Sequence, residues 1–313
     1  MSQSPTASAE FMDARMVSLP SNIELCVETG GNPENPAILL VMGLGVQLTY
    51  WPDTLVKKLI DAGFYVVRFD NRDIGYSTKI RKKGASRINR LKLIARAAIG
   101  LRTEDPRLPY HLEDMAQDVA ELIEALDLKS VHLIGGSMGG MIAQIVAGTR
   151  PELVETLGLL FTSNNAAFSI PPFPKQLKTL FTAPKSLDRE DLIAHSINFQ
   201  RIIGTPGTPE STHRELAAKS IDRSFHPAGF VHQFLAITAS GSLVKYDKKI
   251  KAPTVVLHGT VDRLVHTNSG KAVAKKIKGA KFVALPGMGH DILPSYEDKI
   301  TTEFLSHIKA HAA

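Results

Sequence analysis

The chain has 313 residues, 43% of them hydrophobic, and a formal net charge of +6, enough to bury one large core with or without an inserted subdomain and too apolar for a disordered chain. A single cysteine, Cys26, excludes an intrachain disulfide framework and suits a reducing compartment. No apolar run reaches membrane-spanning length, and "MSQSPTASAEFMDARMVS" at the start lacks a signal-peptide core, so the expectation is a soluble, cytoplasmic protein.

In chain order, the first strong strand signal is "AILLVMG" (37–43), followed by a turn that Gly43 and Gly45 keep open, with Leu44 between them. "WPDTLVKKLIDAG" (51–63) has apolar residues at intervals of three and four, the period of a helix, and "YVVRFD" (65–70) is again strand-like. Residues 79–102, "KIRKKGASRINRLKLIARAAIGLR", hold nine Lys or Arg and no acid, so the rest of the chain carries −3, nine charges below the +6 total. Ile88, Leu91, Ala95 and Ala98 fall at helical spacing in this segment, which predicts an amphipathic helix with a solvated basic face. Weak adsorption to anionic lipid is the competing use of such a face. Nucleic acid is not an expected partner, because no aromatic interleaving or known module accompanies the charge.

"HLEDMAQDVAELIEALDL" (111–128) predicts a helix, "SVHLIGG" (130–136) a buried strand, and "MGGMIAQIVAGTRPELV" a helix starting near Met138. Ser137 is thereby left on a sharp strand-to-helix turn between Gly135 and Gly139, small residues that let strand and helix approach closely. That spacing is the G-x-S-x-G nucleophile elbow, which exposes a serine Oγ at the C-terminal edge of a sheet. "VETLGLLF" (154–161) is the next strand, and it ends in "FTSNN", offering Asn164 and Asn165 but no carboxylate.

Residues 164–245 lack strand-like runs and hold seven of the 13 phenylalanines, predicting a helical cap with an apolar pocket beneath it. The remaining residues, 1–163 and 246–313, form the core. "TVVLHG" (254–259) and "AKFVALPG" (280–287) complete the strands, "SGKAVAKKI" (269–277) and "YEDKITTEFLSHIKAHA" (296–312) the helices. Strand and helix alternate, so the fold class is α/β with a mostly parallel sheet flanked by helices.

A serine hydroxyl needs a base, and the base an acid to orient it; after an elbow of this type the acid and histidine follow in that order. "LHGTVDRLV" places Asp262, and "LPGMGHDILP" places His290, each in a turn after a strand and so on the same edge as Ser137. Asp262 alternatively caps its own turn, and His258 inside the strand is read as packing. An oxyanion formed at Ser137 requires two backbone N–H donors, assigned to Met138 and Leu44. No Cys/His cluster with metal-ligand spacing, phosphate loop or dinucleotide fingerprint is present, so neither metal nor cofactor is expected. Nothing signals an oligomeric interface.

With "GGSMGG", "HGTVDRLV" and "GMGH" in this order, residues 22 to 308 resemble the α/β-hydrolase fold serine esterases with a helical cap. "FDNRDIGYS" resembles that family's D-x-R-G-x-G-x-S turn with Asp73 in place of a glycine, and Met42-Gly43 stands where many members have His-Gly. "LLVMGLG…WP…FDNRDIGYST" is similar to a bacterial subgroup that includes lactone-specific esterases and the aclacinomycin methylesterase. The resemblance implies carboxylic ester or lactone substrates carrying an apolar group. Relatives that use an aspartate nucleophile, the haloalkane dehalogenases and epoxide hydrolases, are excluded by Ser137. Amide, thioester or C–C hydrolysis, or a slow-turnover receptor, remain the alternatives.

Overall fold

The computed structural model describes residues 5–311. The chain opens with two strands that the apolar runs do not predict, β1 (Asp13–Ser18) and β2 (Glu24–Gly30). Then come β3 (Ala37–Val41), β4 (Tyr65–Phe69), β5 (Val131–Gly136), β6 (Val154–Leu160), β7 (Thr254–Gly259) and β8 (Lys281–Leu285). They form one sheet in the order β1-β2-β4-β3-β5-β6-β7-β8. β3 to β8 pair in parallel, whereas β1 and β2 join antiparallel at one edge.

β2 escapes a pattern reading because its apolar core, Leu25–Val27, is only three residues between two glutamates, the second of them a buried charge. Glu28 sits in register with Arg68 of β4, and both side chains are fully buried. The Arg68 guanidinium donates to Glu28 Oε2 at 3.0 Å, Asp53 Oδ1 at 2.8 Å and the Trp51 carbonyl at 2.9 Å. Each charge is therefore paired and hydrogen-bonded, the condition under which ions are tolerated in a core.

The helices are α1 (Asp53–Asp61), α2 (Arg90–Ala98), α3 (Leu112–Ala125), α4 (Met138–Thr149), α5 (Pro174–Thr179), α6 (Arg189–Ile203), α7 (Glu210–Arg223), α8 (Pro227–Ala239), α9 (Val244–Asp247), α10 (Thr267–Lys276) and α11 (Pro294–His311). Leu55, Leu59, Ile300 and Phe304 put α1 and α11 on one face of the sheet. Val119, Ile145 and Val273 put α3, α4 and α10 on the other. Every residue of α4 from Met138 to Gly148 is buried, as expected of a helix that is apolar all round. Among the described residues, no helix is long and apolar enough to cross a membrane.

α5 to α8 lie between β6 and β7 and cover the C-terminal ends of the parallel strands. α2 joins this cover from between β4 and β5: Leu93 packs with Leu235 and Ala239 of α8. This corrects the predicted phase of α2. The helix begins only at Arg90, with Asn89 as its N-cap, so Ile88 precedes it and belongs to no helical stripe. The inward face is set by Leu93, and the predicted stripe of Leu91, Ala95 and Ala98 faces solvent.

Candidate active site

The turns after β3, β5, β7 and β8 converge at the C-terminal edge of the sheet, where open parallel sheets place their sites. At the β5–α4 turn Ser137 has φ 54° and ψ −119°, a left-handed backbone that a non-glycine residue keeps only when its surroundings hold it there. Its N–H donates to the Leu160 carbonyl at 2.9 Å, and its carbonyl accepts from Gly140 N–H at 3.0 Å and Thr162 Oγ1 at 2.7 Å. A Cβ on Gly135 would lie 2.4 Å from the Gly139 oxygen, and one on Gly139 would lie 2.1 Å from the Val41 oxygen. Neither position has room for any side chain, which is why glycine brackets the serine.

His290 lies between the other two predicted partners. Its Nε2 is 2.9 Å from Ser137 Oγ and its Nδ1 2.7 Å from Asp262 Oδ2. With Nδ1–H donating to the carboxylate, Nε2 is left to accept the serine proton. Asp262 Oδ1 accepts from the Leu264 and Val265 amides, each at 2.9 Å, so the acid both caps its turn and faces the histidine, the two readings being compatible. Burial pushes the Asp262 carboxyl up, but the charge of His290 and hydrogen bonds from His258 and His290 outweigh it and hold it at about 2. His258, read from sequence as packing, is fully buried in β7 and also sits 3.4 Å from Asp262 Oδ2 while contacting the Val265 carbonyl at 2.8 Å.

The turn after β3 abuts the serine: a Cβ on Gly43 would come within 3.0 Å of Ser137 Cβ. Among the described residues, neither the Leu44 nor the Met138 amide is taken by an acceptor in the chain. The Gly45 N–H is taken, donating to Gln233 Oε1 at 2.8 Å. Gln233 is a fully buried residue of α8 whose Nε2 donates to the Arg72 carbonyl at 2.9 Å. The "FDNRDIGYS" turn supports the same loop, Asp70 Oδ1 accepting from Leu48 N–H at 2.9 Å and Asn71 Nδ2 donating to the Met42 carbonyl at 2.9 Å. Asp73, at the glycine position of the family pattern, adopts φ 71° and is fastened to Tyr110 Oη at 2.8 Å and to His232 Nδ1 of α8 at 3.0 Å.

The cover grips the histidine and acid turns as well. His290 N–H donates to the Ile203 carbonyl at 3.1 Å, Phe173 N–H to the Arg263 carbonyl at 3.0 Å, and Thr205 N–H to Asp291 Oδ2 at 2.8 Å. Beneath it lies a cavity of about 700 Å³ that reaches Ser137 and His290 and is lined by Phe181, Phe199, Phe230 and Phe234. Phe161, whose ring centroid is 4.6 Å from that of His290, also lines it. Gln233 and Phe161 carry no motif in the sequence. Only the fold brings them to the site.

The alpha/beta hydrolase fold family matches residues 36–295. Rhodomycin D methylesterase of Streptomyces peucetius is 22% identical over 96% of this chain and 99% of its own. A monoacylglycerol lipase of Xenopus laevis is 25% identical over 64% and 63%. Among solved structures, the enol-lactonase from Burkholderia xenovorans aligns with a TM-score of 0.71 at 21% identity, over 94% of this chain and 99% of that one.

Proposed function

The chain belongs to the alpha/beta hydrolase fold family, and we propose that within it the chain is a serine esterase cleaving carboxylic esters, lactones included, through an acyl-enzyme on Ser137. What supports this most is the hydrogen-bonded run from Asp262 through His290 to Ser137 Oγ, ending in an apolar cavity beside two unengaged amides. His290 Nε2 takes the serine proton as Oγ attacks the ester carbonyl. The amides of Leu44 and Met138 donate to the oxyanion, and Asp262 stabilises the imidazolium. The alcohol leaves with the proton from His290. Water, deprotonated in turn by His290, then releases the acid and regenerates Ser137. All of this uses side chains and amides of the chain itself.

The names of the relatives fit this chemistry, since a methylester and an enol-lactone both offer an acyl carbon to a serine. The cavity's aromatic lining favours an apolar acyl or alcohol group. The test is hydrolysis of nitrophenyl esters from acetate to palmitate beside simple lactones, with Ser137→Ala as the blank. Ser137→Ala is expected to lower kcat by about a thousandfold or more while circular dichroism stays unchanged. Turnover in the blank at about a tenth of wild type or above would remove the serine from the chemistry. Folded wild-type protein that turns over no ester would move the reading to C–C or amide bonds.

A further inference from the structure

The basic segment 79–102 has no part in the proposed reaction, and its surroundings suggest what it does. The large hydrophobic side chains that stand exposed include Leu91 at 81%, Ile99 at 46%, Leu101 at 45%, Phe168 at 84% and Ile170 at 44%. Among the described residues, none of the exposed large hydrophobics lies on α1, α3, α4, α10 or α11, the helices that flank the sheet. These five belong to two neighbouring segments: Phe168 N–H donates to the Ala98 carbonyl at 2.8 Å. The same two segments supply Ile94, Ala97, Ala98, Ser169 and Ile170 to the cavity wall, and Ala98 and Ile170 are at once exposed and cavity-lining, so the exposed apolar face adjoins a mouth of the cavity.

The charge carried by these two segments has one sign. Residues 79–102 hold nine cations and residues 164–187 three lysines, with no acid in either. Arg81, Lys82, Lys83, Arg87 and Lys92 are exposed, and among the described residues none of them lies within salt-bridge distance of a carboxylate. Leu91 and Phe168 stand clear of the surface rather than lining a groove, which suits insertion into a fluid layer better than fit to a rigid partner. Basic residues around protruding apolar ones are the composition that holds a protein at the surface of an anionic bilayer.

We propose that the 81–102 segment, which includes α2, and the 165–172 segment form a docking surface for an anionic lipid bilayer, with the cavity mouth facing the membrane. Apolar esters dissolved in the bilayer would then enter the cavity from it, a consequence that rests on the esterase reading; the docking does not. The experiment is co-sedimentation of the full chain with phosphatidylcholine vesicles, with and without an equimolar share of phosphatidylglycerol. Binding to the anionic vesicles is expected to exceed that to the zwitterionic ones by about tenfold or more and to fall with added salt. The pairs Leu91→Glu with Phe168→Glu, and Lys82→Glu with Lys83→Glu, should each lower it about tenfold, with thermal melting unchanged.

Equal binding to both vesicle types, or undiminished binding in both paired variants, would overturn the proposal. So would loss of binding in Lys248→Glu with Lys278→Glu, lysines that line a separate surface depression beside Gly148 and Pro151. A dimer that depends on Leu91, seen by sedimentation velocity without vesicle binding, would replace docking by self-association.

Discussion

Gln233 stands where the helical cover meets the core, holding the Gly45 amide with Oε1 and the Arg72 carbonyl with Nε2. Because it occupies the Gly45 N–H, it fixes the peptide plane next to Leu44, the proposed oxyanion donor. It is thus a positioning residue, with no contact of its own to a reacting atom. Gln233→Leu is expected to lower kcat for a short nitrophenyl ester by about tenfold to a hundredfold, less than loss of an oxyanion donor itself, with KM nearly unchanged. A rise in KM at constant kcat would instead make Gln233 part of the substrate cavity wall. The serine, acid and histidine proposed for the reaction are legible from sequence because each follows a strand in a turn that holds a glycine. Gln233 is not, because nothing about one glutamine in a helix specifies which loop the helix will lie against.

Strand legibility follows the apolar run. β3 to β8 each carry one, Arg68 interrupting that of β4 without erasing it, as suits parallel strands under covering helices. β1 and β2 do not, since β1 is an edge strand with exposed alternate residues and the apolar core of β2, Leu25–Val27, is three residues between Glu24 and Glu28. Removing one partner of the buried pair of Glu28 and Arg68 leaves an uncompensated buried charge, so Arg68→Met is expected to cost about 3–5 kcal/mol, read from urea unfolding. A loss below about 1 kcal/mol would mean that Glu28 finds other partners or water. The same limit applies to α2: its spacing is helical, but two apolar stripes are available, and only the position of α8 decides that Leu93 turns inward and Leu91 outward.

At the level of the whole molecule, stability responds to pH through a carboxyl remote from the chemistry. Asp247 of α9 is fully buried; Asn164 Nδ2 donates to its Oδ2 at 2.6 Å, and its Oδ1 has no partner among the described residues. Burial raises its pKa from 3.8 to about 7, partly offset by the Asn164 hydrogen bond and the charge of Lys276. A folded pKa above the unfolded one means that the native state holds the proton more tightly. The stability this adds is complete below the unfolded value and is lost as pH rises through the folded one. The melting temperature of the wild type should therefore fall relative to Asp247→Asn between about pH 4 and pH 7. Parallel melting curves across that window would show the carboxyl already ionised in the fold. The α5–α8 part of the cover, finally, is joined to the core by more than its two chain crossings. It touches the turn after β3 through Gln233, the turn after β7 through Phe173 and the turn after β8 through Ile203 and Thr205. For anyone recombining this chain with a relative, the exchangeable module is therefore not the segment between two sequence borders. It is that segment together with the three loops it grips, and a graft that moves one without the other inherits a misaligned site.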